Sequence, residues 1–387
     1  MITALLNLAE ELGSRHDLHV FTADGPSGPG RYRRAGANVY QLGGTADLAE
    51  RSGRARRLSR LGRFLMSLVG EIRRIHAEGP FDLLHAFWAL DTAFAATIVG
   101  RHLRVPVVVS VGGGEAVWIP AIAYGGAGSF AGRVRLNTSL RLAQAITAGS
   151  AFAIQNLPAF ARRRARVIPL GVRCQTFDAT PERPPGPPWR LLQIADLNLV
   201  KDQETLLRAF QCVVERLSDV SLDCIGEDTL NGELRSRANE LGIGSYVRFH
   251  GFLPQRVLPD FYRRAHLHLV SSRYESQGVA ILEAAAAGVP TVGTAVGLVP
   301  TLHPLAARCV PPGDAVALAE AISALLLDEA ARRAMGAAAR RWAHDHDARW
   351  TALEFERVYV SLLHGRPNAR PEPHKLSVLG SRSRIKR

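Results

Sequence analysis

Lysine is nearly absent from these 387 residues, so the formal net charge of +13 is carried by arginine. The four cysteines, Cys174, Cys212, Cys224 and Cys309, are scattered and show no metal-ligand spacing. This excludes a disulfide-built secreted module and a zinc ribbon, and the residues read as reduced thiols of a cytoplasmic protein. No basic start with an apolar stretch and small-residue cleavage site marks a secretory signal. The uncharged run 142–161 contains Gln144, Gln155, Asn156 and Pro158, which suits buried strand and helix better than a lipid span. No Gly-X-Gly-X-X-Gly lies between a strand and a helix, which argues against a dinucleotide-dependent oxidoreductase.

The charge is uneven. Residues 1–170 carry a net +10, residues 364–387 a net +6, and the middle a net −3. No zinc-finger or recognition-helix pattern accompanies the basic runs, and no aromatics interleave with them, so nucleic acid is not the expected partner. An anionic membrane surface fits a basic peripheral protein better; a general preference for arginine explains the charge equally well.

The length suits two domains. Strand-like and helix-like segments alternate, as in parallel sheets covered by helices. Ile2–Leu12 has helical apolar spacing, His19–Thr22 reads as a strand and 25–30 as a loop. Leu58, Leu61, Phe64, Leu65, Leu68, Val69, Ile72 and Ile75 trace one helix face, expected to line a core. Asp82–Ala86 and Val105–Val111 read as buried strands. The proline cluster 181–188 sustains neither helix nor sheet and ends a linker, after which Arg190–Ala195 opens a second domain.

The most informative segment is Glu275-Ser-Gln-Gly-Val-Ala-Ile-Leu-Glu283. The apolar run Leu267–Ser272 before it reads as a strand. The small-residue run Gly278–Ala287 within and after it reads as a helix stopped by Gly288 and Pro290. A strand feeding a helix through a short polar turn aims free N–H groups beyond the sheet edge, which favours a diphosphate. If most of the span is helical, the glutamates lie roughly 12 Å apart, a spacing that suits carboxylates gripping hydroxyls on either side of a diphosphate.

Residues 274–297 closely resemble the nucleotide-sugar-binding stretch of family 4 of the retaining glycosyltransferases, enzymes of the GT-B architecture with two Rossmann-like domains facing a cleft. Val167–Val172 resembles the family's interdomain strand and turn, Lys201–Phe210 its lysine-bearing first donor-domain helix, and Val247–Phe252 the strand before the donor pocket. Asp347–Trp350 and Tyr359 resemble the closing helix that packs back on the first domain. The resemblance implies an acceptor-side domain at 1–172, a linker at 173–188, a donor domain at 189–345, the closing helix at 346–363 and a disordered basic tail at 364–387.

It also implies roles. Lys201 would meet the diphosphate, helped by Ser276 and the backbone N–H groups of Gln277, Gly278 and Val279. Glu283 would accept from the ribose hydroxyls, and Glu275 would stabilise charge at the anomeric carbon of the transferred sugar. No cofactor or metal is required, because lysine and the helix start oppose the diphosphate charge and the leaving diphosphate helps deprotonate the acceptor. The sequence departs from the pattern where an arginine is usual, at Asp196, and where a histidine is usual, at Gly112. Gly112, Gly113 and Gly114 let the backbone approach a ligand and donate N–H groups. Glu115 is then the nearest ionisable side chain and a catalytic candidate, with His85 and Trp118 as further acceptor-side candidates.

The expected activity is transfer of a sugar to a hydroxyl of a glycan or lipid-linked acceptor, in cell-surface or exopolysaccharide synthesis, at the inner face of the membrane. Two alternatives stay open: a GT-B sugar-nucleotide epimerase, and a catalytically silent GT-B subunit that supports a partner. Family members begin with an apolar strand and a glycine-rich turn before the helix matched by Ile2–Leu12. With that first strand missing here, two strands at the sheet centre would lack partners, so a start displaced by 10–25 residues is expected.

Overall fold

The computed structural model describes residues 3–22, 29–42, 54–177, 185–217, 219–363 and 375–380, with the backbone alone described over 54–61. The loop expected at 25–30 and the proline cluster before residue 185 therefore lie largely outside the described residues. The chain divides into two compact units. The first comprises Met1–Gly149, Ala153–Leu170 and Ala348–Arg387, and the second Ser150–Phe152 and Gly171–Asp347.

The first unit is built on strands β1 (Asp17–Thr22), β2 (Gly30–Arg34), β3 (Ala37–Gln41), β4 (Leu83–Phe87), β5 (Val107–Val111), β6 (Ala145–Ala148) and β7 (Ala165–Val167). The second has β8 (Trp189–Ile194), β9 (Val220–Ile225), β10 (Val247–Phe249), β11 (Leu267–Val270), β12 (Thr291–Thr294) and β13 (Ala307–Val310). A last strand, β14 (Lys375–Gly380), belongs to the first unit. Among the described residues the first sheet runs β2-β3-β1-β14-β4-β5-β6-β7 and the second β10-β9-β8-β11-β12-β13. All pairings are parallel except β2 with β3.

Parallel strands are covered on both faces, which explains the unbroken burial of Val107–Val111 and Leu267–Val270. The arginine-rich helix Arg54–Glu78 turns Phe64, Leu68, Ile72 and Ile75 into the first core, as its spacing predicts. On the opposite face, Thr3–Gly13 and Ala348–Leu363 pack together through Leu5, Leu8, Leu12, Ala352, Phe355 and Tyr359. Two helices of the second unit, Ala315–Leu327 and Glu329–Asp345, start on side-chain caps: Asp314 accepts from the Ala317 amide at 2.9 Å and Asp328 from the Ala331 amide at 2.8 Å. No described helix is long and apolar enough to cross a membrane.

Two expectations change here. The tail is not wholly irregular, because Lys375–Gly380 is a strand; residues 364–374 and 381–387 lie outside the described residues. The centre of the first sheet is also not left unpaired. No strand precedes Thr3–Gly13 among the described residues, yet β14 pairs in parallel with β1 on one side and β4 on the other.

Candidate functional site

In the second unit, β11 ends at Val270 and the chain turns through Ser271–Gly278 into the helix Val279–Ala286. Gly278 stands at the helix start with a φ of 86°, a left-handed value that a side chain would strain. The helix expected at Gly278–Ala287 forms over Val279–Ala286, so Glu275 lies in the turn and the rise per residue does not set the glutamate separation. The turn is fixed from several directions. Gln277 O accepts from the Leu298 amide at 3.0 Å, and Ser150 Oγ donates to Ser276 O at 2.5 Å. A Cβ on Gly297 would come within 2.9 Å of Glu275 Cβ, so this crossing needs glycine.

Lys201 does not start a helix. It lies in the turn before Gln203–Arg216, whose cap residue Asp202 has a φ of 51°. That turn is bound to the first one: the Arg273 amide donates to Val200 O at 2.8 Å, Ser271 Oγ to Lys201 O at 2.7 Å, and the Arg273 guanidinium pairs with Asp202 at 3.1 Å. Lys201 Nζ is thereby brought onto Glu275 Oε1 as an ion pair, with Ser272 Oγ donating to the same oxygen at 2.8 Å. Both partners retain some solvent access, 23% for the lysine side chain and 15% for the glutamate. The two loops thus present a cation and a carboxylate side by side next to a helix N-terminus.

Glu283 is one helical turn inside and 4% exposed. Its Oε1 accepts from Gln255 Nε2 at 2.7 Å and its Oε2 from the Tyr262 hydroxyl at 2.9 Å. Burial raises its pKa above the ordinary carboxylate value, against the lowering effect of those two hydrogen bonds. Replacement by alanine would take one acceptor from the half-buried Gln255 amide and one from the Tyr262 hydroxyl, which keeps Ala280 O at 3.2 Å. Gln255 and Tyr262 were not among the expected site residues. The only signal for them is their place in the polar turn and short helix after β10. Asp196, where an arginine was expected, is exposed and accepts from the Glu227 amide at 3.1 Å. A separate pocket of about 240 Å³, lined by Arg190, Asp223, Arg248, His250, Phe261 and Arg264, includes none of Lys201, Glu275 or Glu283.

In the first unit, Glu115 and the amides of Gly112 and Gly113 face one another rather than outward. Glu115 is 5% exposed; Oε1 accepts from the Ala89 and Gly112 amides at 3.0 and 3.1 Å, and Oε2 from the Gly113 amide at 2.6 Å. It is the internal brace of the glycine loop rather than an outward-facing acid, and burial raises its pKa. The Gly112 and Gly113 amides are therefore already engaged and are not free to grip a ligand. Gly114 gives room to the Tyr124 ring, which a Cβ would approach to 2.6 Å.

His85 is fully buried, sharing 2.7 Å hydrogen bonds with the Tyr359 hydroxyl and Ser110 Oγ; Ser110 in turn meets Thr147 Oγ1. Desolvation lowers its pKa to about 3, so it is a neutral core residue. Trp118 is 44% exposed and Phe130 75%.

Two largely parallel sheets, with a lysine–glutamate pair where the second feeds a polar turn and a helix start, define the class of α/β protein. Comparison with known proteins makes this specific. Residues 1–171 match the glycosyl transferase 4-like domain and residues 175–342 match the glycosyl transferases group 1 family. A D-inositol 3-phosphate glycosyltransferase from Xylanimonas cellulosilytica is 29% identical over 286 residues, 68% of this chain and 68% of that protein. A GDP-mannose-dependent α-(1-6)-phosphatidylinositol monomannoside mannosyltransferase from Mycolicibacterium smegmatis is 31% identical over 179 residues, 44% of this chain and 46% of that protein. The Anabaena HepE structure in complex with UDP and glucose superposes with a TM-score of 0.70 at 18% identity, covering 92% of this chain and 95% of that one. Matches to curated relatives span from 25% to 68% of those proteins' length. The chain belongs to family 4 of the GT-B glycosyltransferases.

Proposed function

We propose that this chain transfers a sugar, with retention of anomeric configuration, from a nucleoside diphosphate sugar to a hydroxyl of a glycan or lipid-linked acceptor. The observation that carries the reading is the Lys201–Glu275 pair held by two cross-tied loops at the start of Val279–Ala286. A diphosphate placed there meets the lysine charge and the positive end of the helix Val279–Ala286. Lys201 then exchanges a carboxylate for phosphate oxygens, freeing Glu275 to face the sugar. Positive charge developing at the anomeric carbon is stabilised by that carboxylate. Glu283, held in place by Gln255 and Tyr262, still has acceptor lone pairs for the ribose hydroxyls. This chemistry asks for no metal or cofactor.

Related proteins support the donor class: one is named for its GDP-mannose donor, and the structural neighbour binds UDP. The inositol phosphate and phosphatidylinositol acceptors in the relatives' names favour a polar or lipid-linked acceptor presented at an anionic membrane surface. The exposed Trp118 and Phe130 and the arginine-rich first unit fit a peripheral position on the cytoplasmic face.

The test is a thermal-shift screen against UDP, GDP, ADP, CMP and TDP, followed by donor hydrolysis. A nucleotide at about 100 times its Kd stabilises the fold by roughly 2.7 kcal/mol. Stabilisation by none of the five would overturn the reading.

A second reading has its own support. Asp196 stands where a phosphate-clamping arginine is usual, Gly112 where a histidine is usual, and Glu115 is turned inward. A subunit that binds nucleotide but supports a partner's catalysis would show stabilisation without donor hydrolysis.

A further inference from the structure

The middle of the first sheet is occupied by a strand from the far end of the chain. Read outward from β14, the order runs through β1 and β3 on one side and through β4, β5, β6 and β7 on the other. β14 is therefore the point where strand order reverses, the position around which a doubly wound sheet is organised. Its backbone is paired along both edges: Asp17–Thr22 is in register with Lys375–Gly380, and Leu376–Leu379 with Leu83–Ala86.

The apolar side chains of the strand fill both faces of the slot, although the buried Ser377 hydroxyl finds no hydrogen-bond partner there. Leu376 and Val378 join the cluster of Leu18, Val20, Leu83 and Phe355, while Leu379 joins Phe21, Leu84 and Ala86 on the other face. All three are at most 7% exposed, and Ser377 is fully buried. The start of the strand is fixed by polar contacts that set its register. The Lys375 amide donates to Asp82 Oδ2 at 2.7 Å, Lys375 O accepts from the Asp82 amide at 2.9 Å, and Lys375 Nζ donates to Gly79 O at 2.8 Å while lying over the Phe81 ring. A weakly specified strand would slip by one residue and reverse its faces; here Lys375 ties the first position to Asp82 and Gly79.

We propose that the gap between β1 and β4 is a strand-binding site. Its ligand is an extended parallel segment with lysine first, apolar residues second, fourth and fifth, and a small residue third. This chain fills it in cis with Lys375–Gly380. The eleven intervening residues 364–374 can span up to roughly 36–40 Å, and together with the helix Ala348–Leu363 they supply the long connection that a parallel strand needs. Native β-augmentation adds a strand to a sheet's edge; this slot lies at the centre, so the occupant controls the pairing of everything on either side.

Hydrogen exchange on the full chain tests this, read peptide by peptide. The amides of Leu376–Leu379 should exchange at least about 100-fold more slowly than in a free peptide, alongside those of Val107–Val111. In the Val378→Asp variant, protection should fall at least about tenfold in Leu18–Phe21 and Leu83–Ala86 but not in Leu267–Val270 of the second unit; Val378→Ile should restore it. Exchange of Leu376–Leu379 at free-peptide rates in the unaltered chain, while β5 stays protected, overturns the proposal. Unchanged protection of β1 and β4 in Val378→Asp overturns it equally.

Discussion

Two polar clusters, one in each unit, treat their side chains in opposite ways. In the first, Glu115 and the Thr147–Ser110–His85–Tyr359 chain point inward and meet their hydrogen-bonding needs within the fold. In the second, Lys201 and Glu275 meet each other at a partly open turn whose surroundings are rigid. An ion pair of that kind at a surface is worth little to stability, whereas the buried groups of the first unit are costly to disturb. The difference separates scaffold from site. A polar side chain enclosed by backbone donors supports the fold, and one exposed to solvent beside a helix start is available to a substrate.

The largest expected effect falls on the second unit. Glu275→Gln should lower kcat about 100- to 1,000-fold, as losing a preorganised stabilising charge does, with little change in melting temperature. Steady-state kinetics with the nucleotide sugar found by screening measures it, and an unchanged kcat would place Glu275 outside the chemistry. The reciprocal change in the first unit, Glu115→Ala, should remove about 2–4 kcal/mol of stability by leaving the Ala89, Gly112 and Gly113 amides without their acceptor. Urea unfolding reads this. A loss below about 0.5 kcal/mol would abolish the contrast between the units.

Among the described residues each unit also holds one fully buried histidine, His85 and His268, whose pKa is lowered to about 3 by desolvation. Because these are depressed from 6.5, their stabilising contribution is complete above that pH. It is lost as pH falls toward 3, at about 1.4 kcal/mol per unit for each histidine. Glu115 and Glu283 have raised pKa values and work in the other direction, losing stability as pH rises through them. Comparing unfolding at pH 7 and pH 5 for the unaltered chain and His85→Asn isolates the histidine. The variant's pH dependence should be smaller by about 2 kcal/mol, and an identical dependence in both would refute it. The smallest effect is Lys201→Ala, expected to weaken nucleoside diphosphate binding about tenfold, or 1.4 kcal/mol, while leaving the bare nucleoside unaffected. Calorimetry with both ligands decides, since equal losses would make the lysine structural.

The donor side is legible in the sequence because it is local. A strand, a polar turn and a small-residue helix follow one another within 267–286, and their order alone places Glu275 and Glu283. Lys201 is placed less well: its family-like context suggests a helix start, but Asp202 in a left-handed conformation delays the helix by two residues. The acceptor side is not legible for the opposite reason. Whether Glu115 points in or out depends on the amide of Ala89, 26 residues away, and whether His85 is core depends on Tyr359, 274 residues away. β14 is the extreme case. Leu-Ser-Val-Leu between polar, proline-bearing flanks carries no helical or alternating period, and its partners lie some 290 to 360 residues earlier.

That distance has a consequence for how the protein is made. Domains of a nascent chain ordinarily fold in the order they emerge, the N-terminal one first. Here β8 to β13 and their helices are complete by Asp347, so the second unit has all its parts while the first still lacks its central strand. The first sheet can close only after translation reaches Gly380, leaving β1 and β4 with open edges throughout synthesis of the intervening residues. Such edges invite pairing with other chains. Fusions or stops near the C terminus should therefore affect yield and aggregation of the N-terminal unit, hundreds of residues from the altered codon.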